Sequence, residues 1–327
     1  QMDGTPNKEN LGANTLISIS MAAAASAAAH QRVPLYRYLN ALFATLLPTQ
    51  LTRMPTPTMN LINGGKHGAG NLNFQEFHVV PATNKPFHIA LQIGVELDHI
   101  LRDMLIYRNA VHSVGDEGGF APNLFTNIEA IQLLLDAIKQ SPYTFGVDVF
   151  LGLDTASSHF KTVRGYEIKD KPQPLSTKDF ITYLSDLHKE HRLLLLEDPI
   201  SEDDWDGWKA VTALMGKEVL IIGDDLIATN PGRLQKAIDQ IACSAVLLKP
   251  NQIGTLSEFL HTVAMAKKAG MATIVSHRSA ETNDAFIADL GVAVQADYVK
   301  FGAPVRGERV AKYNRLLAIE SELFPQK

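Results

Sequence analysis

Six short apolar runs recur between residues 148 and 300: VDVFLGLD ending at Asp154, LLLLE at Glu197, VLIIGD at Asp224, AVLLK at Lys249, ATIVSH at His277 and ADYVK at Lys300. Each has the four to eight residues, the Val, Ile and Leu content and the weak alternation of a strand buried on both faces. The stops lie 43, 27, 25, 28 and 23 residues apart, which leaves room for one helix between successive strands. That is the repeating unit of a parallel sheet. Six parallel strands with chemically capable residues at their C-terminal ends predict an α/β fold, a (β/α) barrel with its site on that face. Three carboxylates, two lysines and a histidine would then ring one mouth.

The flanking segments alternate between helical and turn-rich patterns. Residues 1–14 are turn-rich, and the Ala-rich TLISISMAAAASAAAH (15–30) follows. That stretch has the small residues of a secretory leader but no basic segment before it. Its alanines favour a helix packed closely on a neighbour. RVPLYRYL and ALFATLLPTQL run to about residue 51, where MPTPTMN breaks the pattern. NLINGGKHGAGNLNFQEFHVVP (60–81) predicts strand, Gly-rich loop, strand. Helical periodicity returns over 87–105, 126–140 and 311–323, the second preceded by a capping signal. VGDEGGFAP (114–122) predicts a tight loop carrying two acids between glycines.

Composition narrows the function classes. The formal charge of −5 gives no general basic field for nucleic acid. The single cysteine, Cys243, excludes an internal disulfide framework and suits a reducing compartment such as the cytoplasm. No apolar run approaches the roughly 20 residues of a membrane span.

Asp154, Glu197 and Asp224 end three successive strands. A lone acid at such a position is a helix cap or faces water. Three on one face repel unless a cation compensates, and oxygen donors without His or Cys suit Mg²⁺. Lys249 and Lys300 end two further strands, and a lysine beside a metal and other cations can have its pKa lowered enough to act as a base. A surface lysine or an ion pair to the acids is the plainer alternative. Arg278 and Ser279, after His277, could hold a phosphate or carboxylate. Glu117 and Glu76 supply further acids, and two carboxyls held close would raise one pKa toward general-acid use. Trp205 and Trp208 are expected to pack.

These residues resemble the enolase family, the glycolytic 2-phosphoglycerate dehydratases. The resemblance rests on NKENLGANTLISIS, NLINGGKH, QEF, GDEGGFAPNL, GLDTASSHF, LEDPISEDDWDGW, GDDLIATNP, LLKPNQIGTLSE, SHRSAETNDAFIADL and RVAKYN, in order and suitably spaced. It implies an enolase-type TIM-like barrel over 51–327, preceded over 1–50 by a helical remnant of the family's N-terminal α+β domain. It further implies that Asp154, Glu197 and Asp224 bind Mg²⁺. Lys249 would take the C2 proton of 2-phosphoglycerate. Glu117, assisted by Glu76, would help expel the C3 hydroxyl, and His67 would lie near that leaving group. Arg278 and Ser279 would hold the phosphate with His277 close by, Lys300 would bind the carboxylate, and the product would be phosphoenolpyruvate.

Other readings stay open: a catalytically silent binding or scaffold protein, or a proton-abstracting superfamily enzyme acting on a carboxylate without phosphate. The resemblance also implies a cytoplasmic protein, with family members found at the cell surface or secreted as well, and a homo-oligomer, dimer or higher. Two substitutions depart from the family pattern, Ala280 for the usual Gly and Phe301 for a small or polar residue beside Lys300. The match also begins near the end of the N-terminal domain, and no residue here matches its serine-bearing lid loop. The resulting expectation is binding of Mg²⁺ and phosphoglycerate with slowed turnover, and an exposed apolar barrel face that favours self-association.

Overall fold

A computed structural model of the chain describes residues 2–5, 7–68 and 72–325. Among the described residues ten strands form in chain order: β1 Thr56–Asn63, β2 Glu76–Pro81, β3 Val149–Asp154, β4 Lys161–Thr162, β5 Gly165–Tyr166, β6 Leu193–Glu197, β7 Leu220–Gly223, β8 Ala245–Leu248, β9 Ala272–Ser276 and β10 Tyr298–Lys300. Eight of them close a barrel in the order β1-β10-β9-β8-β7-β6-β3-β2, and β4–β5 is a separate small ribbon. The six expected strands are present and parallel to their neighbours among themselves, and β1 joins them parallel to β10.

β2 differs from that all-parallel picture. It runs antiparallel to both β1 and β3. Because it is reversed, its first residue lies at the mouth where its neighbours end. Glu76 therefore pairs in register with Asp154, the last residue of β3.

The apolar runs also conceal an alternation. Val80, Leu195, Ile222, Leu247, Ile274 and Tyr298 form a small cluster of their own inside the barrel. Two positions further along each strand toward the mouth stand His78, Glu197, Asp224, Lys249, Ser276 and Lys300. The period-two geometry of a strand puts residues i and i+2 on one face, so the same inward row that fills the barrel ends in charge at its rim. The alternate residues face the helices, where the main core lies.

The helices are α1 Ala13–Gln31, α2 Leu35–Ala44, α3 Phe87–Tyr107, α4 Asn127–Gln140, α5 Thr177–His191, α6 Trp205–Met215, α7 Pro231–Gln240, the short α8 Pro250–Ile253, α9 Leu256–Lys268, α10 Phe286–Ala293 and α11 Gly307–Leu323. None among the described residues is long and apolar enough to cross a membrane. The Ala-rich stretch is helical as expected, but only Ala24 and Ala28 of its alanines are buried, together with Ile17. Close backbone packing is thus confined to one narrow stripe. α2 is better anchored: Tyr36, Leu39 and Phe43 are buried, and the Tyr36 N–H donates to Asp289 Oδ1 at 3.1 Å. Trp208 is fully buried and donates to the Ser201 carbonyl, while the Lys236 ammonium lies 3.9 Å from the ring centre of Trp205.

The loop after α3 is stitched to β1. Phe120 N–H donates to the Leu61 carbonyl and Asn63 N–H to the Phe120 carbonyl, both at 2.8 Å. Two glycines permit this approach. Gly118 has φ of +91°, and a Cβ on Gly119 would lie 2.5 Å from Asn63 Oδ1. The link between β1 and β2 is Gly-rich as expected, and its residues 69–71 lie outside the described residues.

Candidate active site

Strand ends, the 114–120 loop and the 276–279 segment surround one polar pocket of about 200 Å³ at the barrel mouth. Its lining includes His67, Glu76, Glu117, Asp154, Asp224, Lys249, His277, Arg278, Ser279 and Lys300. Glu197 lies directly behind, covered by Lys300, whose Nζ donates to both Glu197 oxygens at 2.8 Å and to Asp154 Oδ2 at 3.1 Å. Glu76 Oε2 is 3.3 Å from the same ammonium. All four groups are buried. Lys249 Nζ pairs with Asp224 Oδ2 at 2.5 Å.

Burial pushes the Glu197 carboxyl well above the usual carboxylate range, and Asp154 beside it adds to the shift. Burial likewise raises Asp154, against the pull of Lys300. Burial alone would lower Lys300, but Asp154, Glu197 and Glu76 outweigh it and hold the ammonium well above its usual value. Lys249 follows the same balance: burial opposes its charge, Asp224 wins, and its pKa is raised. The expected lowering of the base is therefore not what the site shows. The reason is that the two lysines themselves serve as counter-cations to the acids. Asp224 Oδ1 is buried with no partner. That orphan oxygen, and carboxyls raised by burial and by one another, fit a site built to receive a cation.

A second cluster forms beside the first. His67 Nδ1 lies 3.3 Å from Glu76 Oε1 and 3.5 Å from Glu117 Oε1. Ser279 Oγ donates to Glu117 Oε1 at 3.0 Å, so its single proton is committed there and it accepts from His67 Nε2 at 2.8 Å. Burial opposes charge on His67, yet the two carboxylates outweigh it and its pKa is raised. Burial and Glu76 would raise Glu117, but His277 and His67 prevail and hold it low. Glu76 is held well below its usual range because Lys300, His67 and His78 overcome its burial. The expectation that one acid of this pair is raised is thus corrected: each has its own histidine or lysine partners, and the raised acids of this mouth include Glu197, Asp154, Asp198 and Asp225. Asp116 faces solvent, whereas Glu117 is buried.

Arg278 stands at the exposed rim, where its Nη1 donates to Asn251 Oδ1 at 3.2 Å. It shares the pocket with Ser279, though the serine hydroxyl faces inward. Phe301 does not enter the mouth; it is fully buried on the outer face of β10 against Tyr313, with ring centres 6.2 Å apart.

Four supporting residues escaped the sequence analysis. Asn60 Nδ2 donates to Glu117 Oε2 at 3.2 Å, and His78 Nε2 lies 2.7 Å from Glu76 Oε2. Asp198, at φ +41°, takes the Asp224 and Asp225 N–H groups on its two carboxyl oxygens at 2.9 and 2.8 Å. Arg309 reaches in from α11 to His277. Polar residues recurring at every second position, Thr56, Thr58, Asn60 and then Glu76, His78, carried a signal for the first two. Asp198 gave none.

Among the described residues, two groups of His, Asp or Glu have ligand atoms within 4.8 Å of one another: His67, Glu76 and Glu117, and Asp198, Asp224 and Asp225. A closed (β/α) barrel whose mouth concentrates carboxylates and lysines defines a class of protein, the barrel enzymes that carry their chemistry on strand ends. The family model described as "Enolase, C-terminal TIM barrel domain" matches residues 51–326, and "Enolase, N-terminal domain" matches residues 1–39. The chain belongs to the enolase family.

Proposed function

We propose that this chain catalyses the reversible dehydration of 2-phospho-D-glycerate to phosphoenolpyruvate with Mg²⁺. The observation that supports this most directly is the meeting, in one small pocket, of Lys249 and Lys300 with Asp154, Asp224 and the 277–279 segment, Glu197 lying behind Lys300. Asp154, Glu197 and Asp224 would hold the Mg²⁺, which supplies positive charge that makes the proton next to the substrate carboxylate removable.

The Lys249 amine, neutral once Asp224 no longer pairs with it, takes the C2 proton on Nζ, and the C–H electron pair passes into the substrate carboxylate as an aci-carboxylate dianion. In a second step that pair returns as the C2–C3 double bond while the C3–O bond breaks. Lys300 holds the carboxylate. Glu117 gives a proton to the departing hydroxyl, which leaves as water, with Glu76 and His67 beside it. Ser279 and Arg278 face the phosphate. The substrate's own negative charges act on Glu117 in the direction this role needs, toward its protonated form.

The test is a coupled assay for phosphoenolpyruvate together with exchange of the C2 proton into deuterated water. Product formation that Lys249→Ala abolishes along with exchange supports the reading. Parent-rate exchange in Lys249→Ala would sink the assignment of the base. A second reading, a barrel that binds phosphoglycerate without turnover, draws on the raised Lys249 and lowered Glu117. It predicts Mg²⁺-dependent binding with neither exchange nor product.

A further inference from the structure

Arg309 is fully buried in α11, and every hydrogen on its two terminal nitrogens has a partner. Nη1 donates to His277 Nδ1 at 2.6 Å and to the Arg278 carbonyl at 2.8 Å. Nη2 donates to the carbonyls of Ser279 at 2.6 Å and Asp116 at 3.0 Å. One guanidinium therefore binds both segments that carry site residues, the 277–279 turn and the 114–120 loop. Room for this is left by Gly302, where a Cβ would lie 3.1 Å from both His277 Cε1 and Arg309 Cδ.

The chemistry of the pair has one solution. A guanidinium has donors only and keeps its charge, so the nitrogen it meets must be an acceptor. His277 Nδ1 thus carries no hydrogen, and in the neutral ring the proton sits on Nε2. That nitrogen is buried, lacks a hydrogen-bond partner and points toward Glu117 Oε1 at 3.5 Å. We propose that Arg309 is a positioning residue that locks His277 as the neutral Nε2–H tautomer, so that the imidazole offers the mouth a hydrogen-bond donor and never a second positive charge.

The charged groups facing the ring are Arg309 from α11, Glu117 from the 114–120 loop and Glu76 from β2. Burial lowers the His277 pKa, and Arg309 reinforces this against the two acids. The catalytic value of the lock rests on the proposed dehydration, in which Glu117, already faced by His67, is better served on this side by a donor than by a further cation that would hold it ionised. The tautomer itself can be read without any turnover.

The experiment is nitrogen-15 NMR of histidine-labelled full chain, with the His277 signals assigned by their loss in His277→Gln. In the parent protein Nδ1 is expected unprotonated and Nε2 protonated throughout about pH 5 to 8, the range in which histidine ordinarily titrates. Arg309→Met removes the donor, and protonation of Nδ1 should then appear with a titration inside that range. Arg309→Lys keeps a charge at one point but not the fork. It should show partial loss of the lock, with kcat lower by about 10–100-fold and a smaller change in KM. A protonated Nδ1 in the parent protein overturns the proposal, as does an unchanged tautomer in folded Arg309→Met. If Arg309→Met does not fold, the parent spectrum and Arg309→Lys decide. A locked tautomer in a chain that makes no product would instead count against the proposed reaction and leave the lock standing.

Discussion

Lys300 faces three buried carboxylates at once, those of Glu76, Asp154 and Glu197. Removing one partner of a buried ion pair leaves the others uncompensated, which typically costs about 3–5 kcal/mol. Lys300→Met should therefore lower unfolding free energy by about that amount in a urea titration, and a loss under about 1 kcal/mol would show that the acids had simply taken up protons. Asp224 makes the complementary prediction. An ion held by the folded state alone raises Tm by mass action, so Mg²⁺ is expected to do so under the proposed function. Asp224→Asn should remove most of that rise, whereas an equal rise in both proteins would place the ion elsewhere. In the proposed dehydration the acid acts on the later bond, so Glu117→Gln should slow product formation while leaving some C2-proton exchange; equal loss of both would merge the two steps. The rim residues Asp154, Glu197, Asp224, Lys249, His277 and Lys300 were legible because each interrupts an apolar run at the point where a strand ends. Asp198 and Arg309 were not legible. Their roles depend on where a carboxylate or guanidinium meets backbone groups from distant segments, and no local pattern encodes that.

At the scale of elements, the helical segments were read well, since periodicity near 3.6 is a property of a single stretch. α4 begins where its capping signal lies: Thr126 Oγ1 accepts the Glu129 N–H at 3.2 Å. Thr126→Ala should cost about 1 kcal/mol, read as a shift in the urea midpoint. The direction of β2 was not legible, because period-two alternation is the same read from either end. α3 carries an anomaly that periodicity also hid. Asp98 lies on its inner face, 3% exposed, with Oδ1 lacking a partner. Burial pushes its pKa up to about 6. The folded state then holds a proton that the unfolded chain gives up earlier, so stability falls as pH rises from about 4 to about 6 and stays low above it. Asp98→Asn should remove that penalty, stabilising the protein at pH 7 by up to about 3 kcal/mol and flattening the profile. An unchanged slope across that range would mean that the carboxyl finds a partner in solution.

Across the whole molecule, the ring is sealed by its last strand. β10 pairs with β9 on one side and with β1 on the other, where Thr56 stands opposite Tyr298 and Thr58 opposite Lys300. Those partners are among the most distant in the chain, and contacts between remote segments form late because the intervening chain must first be ordered. During synthesis β10 is also the last barrel strand to emerge, so β1 and β9 wait with open edges. The same strand delivers Lys300 to Asp154 and Glu197. Until it arrives, those carboxyls gather without a counter-charge and resist being buried together. Completion of the sheet and neutralisation of the mouth therefore depend on the same strand. A chain in which β10 has not docked has neither a closed ring nor an ammonium between Asp154 and Glu197.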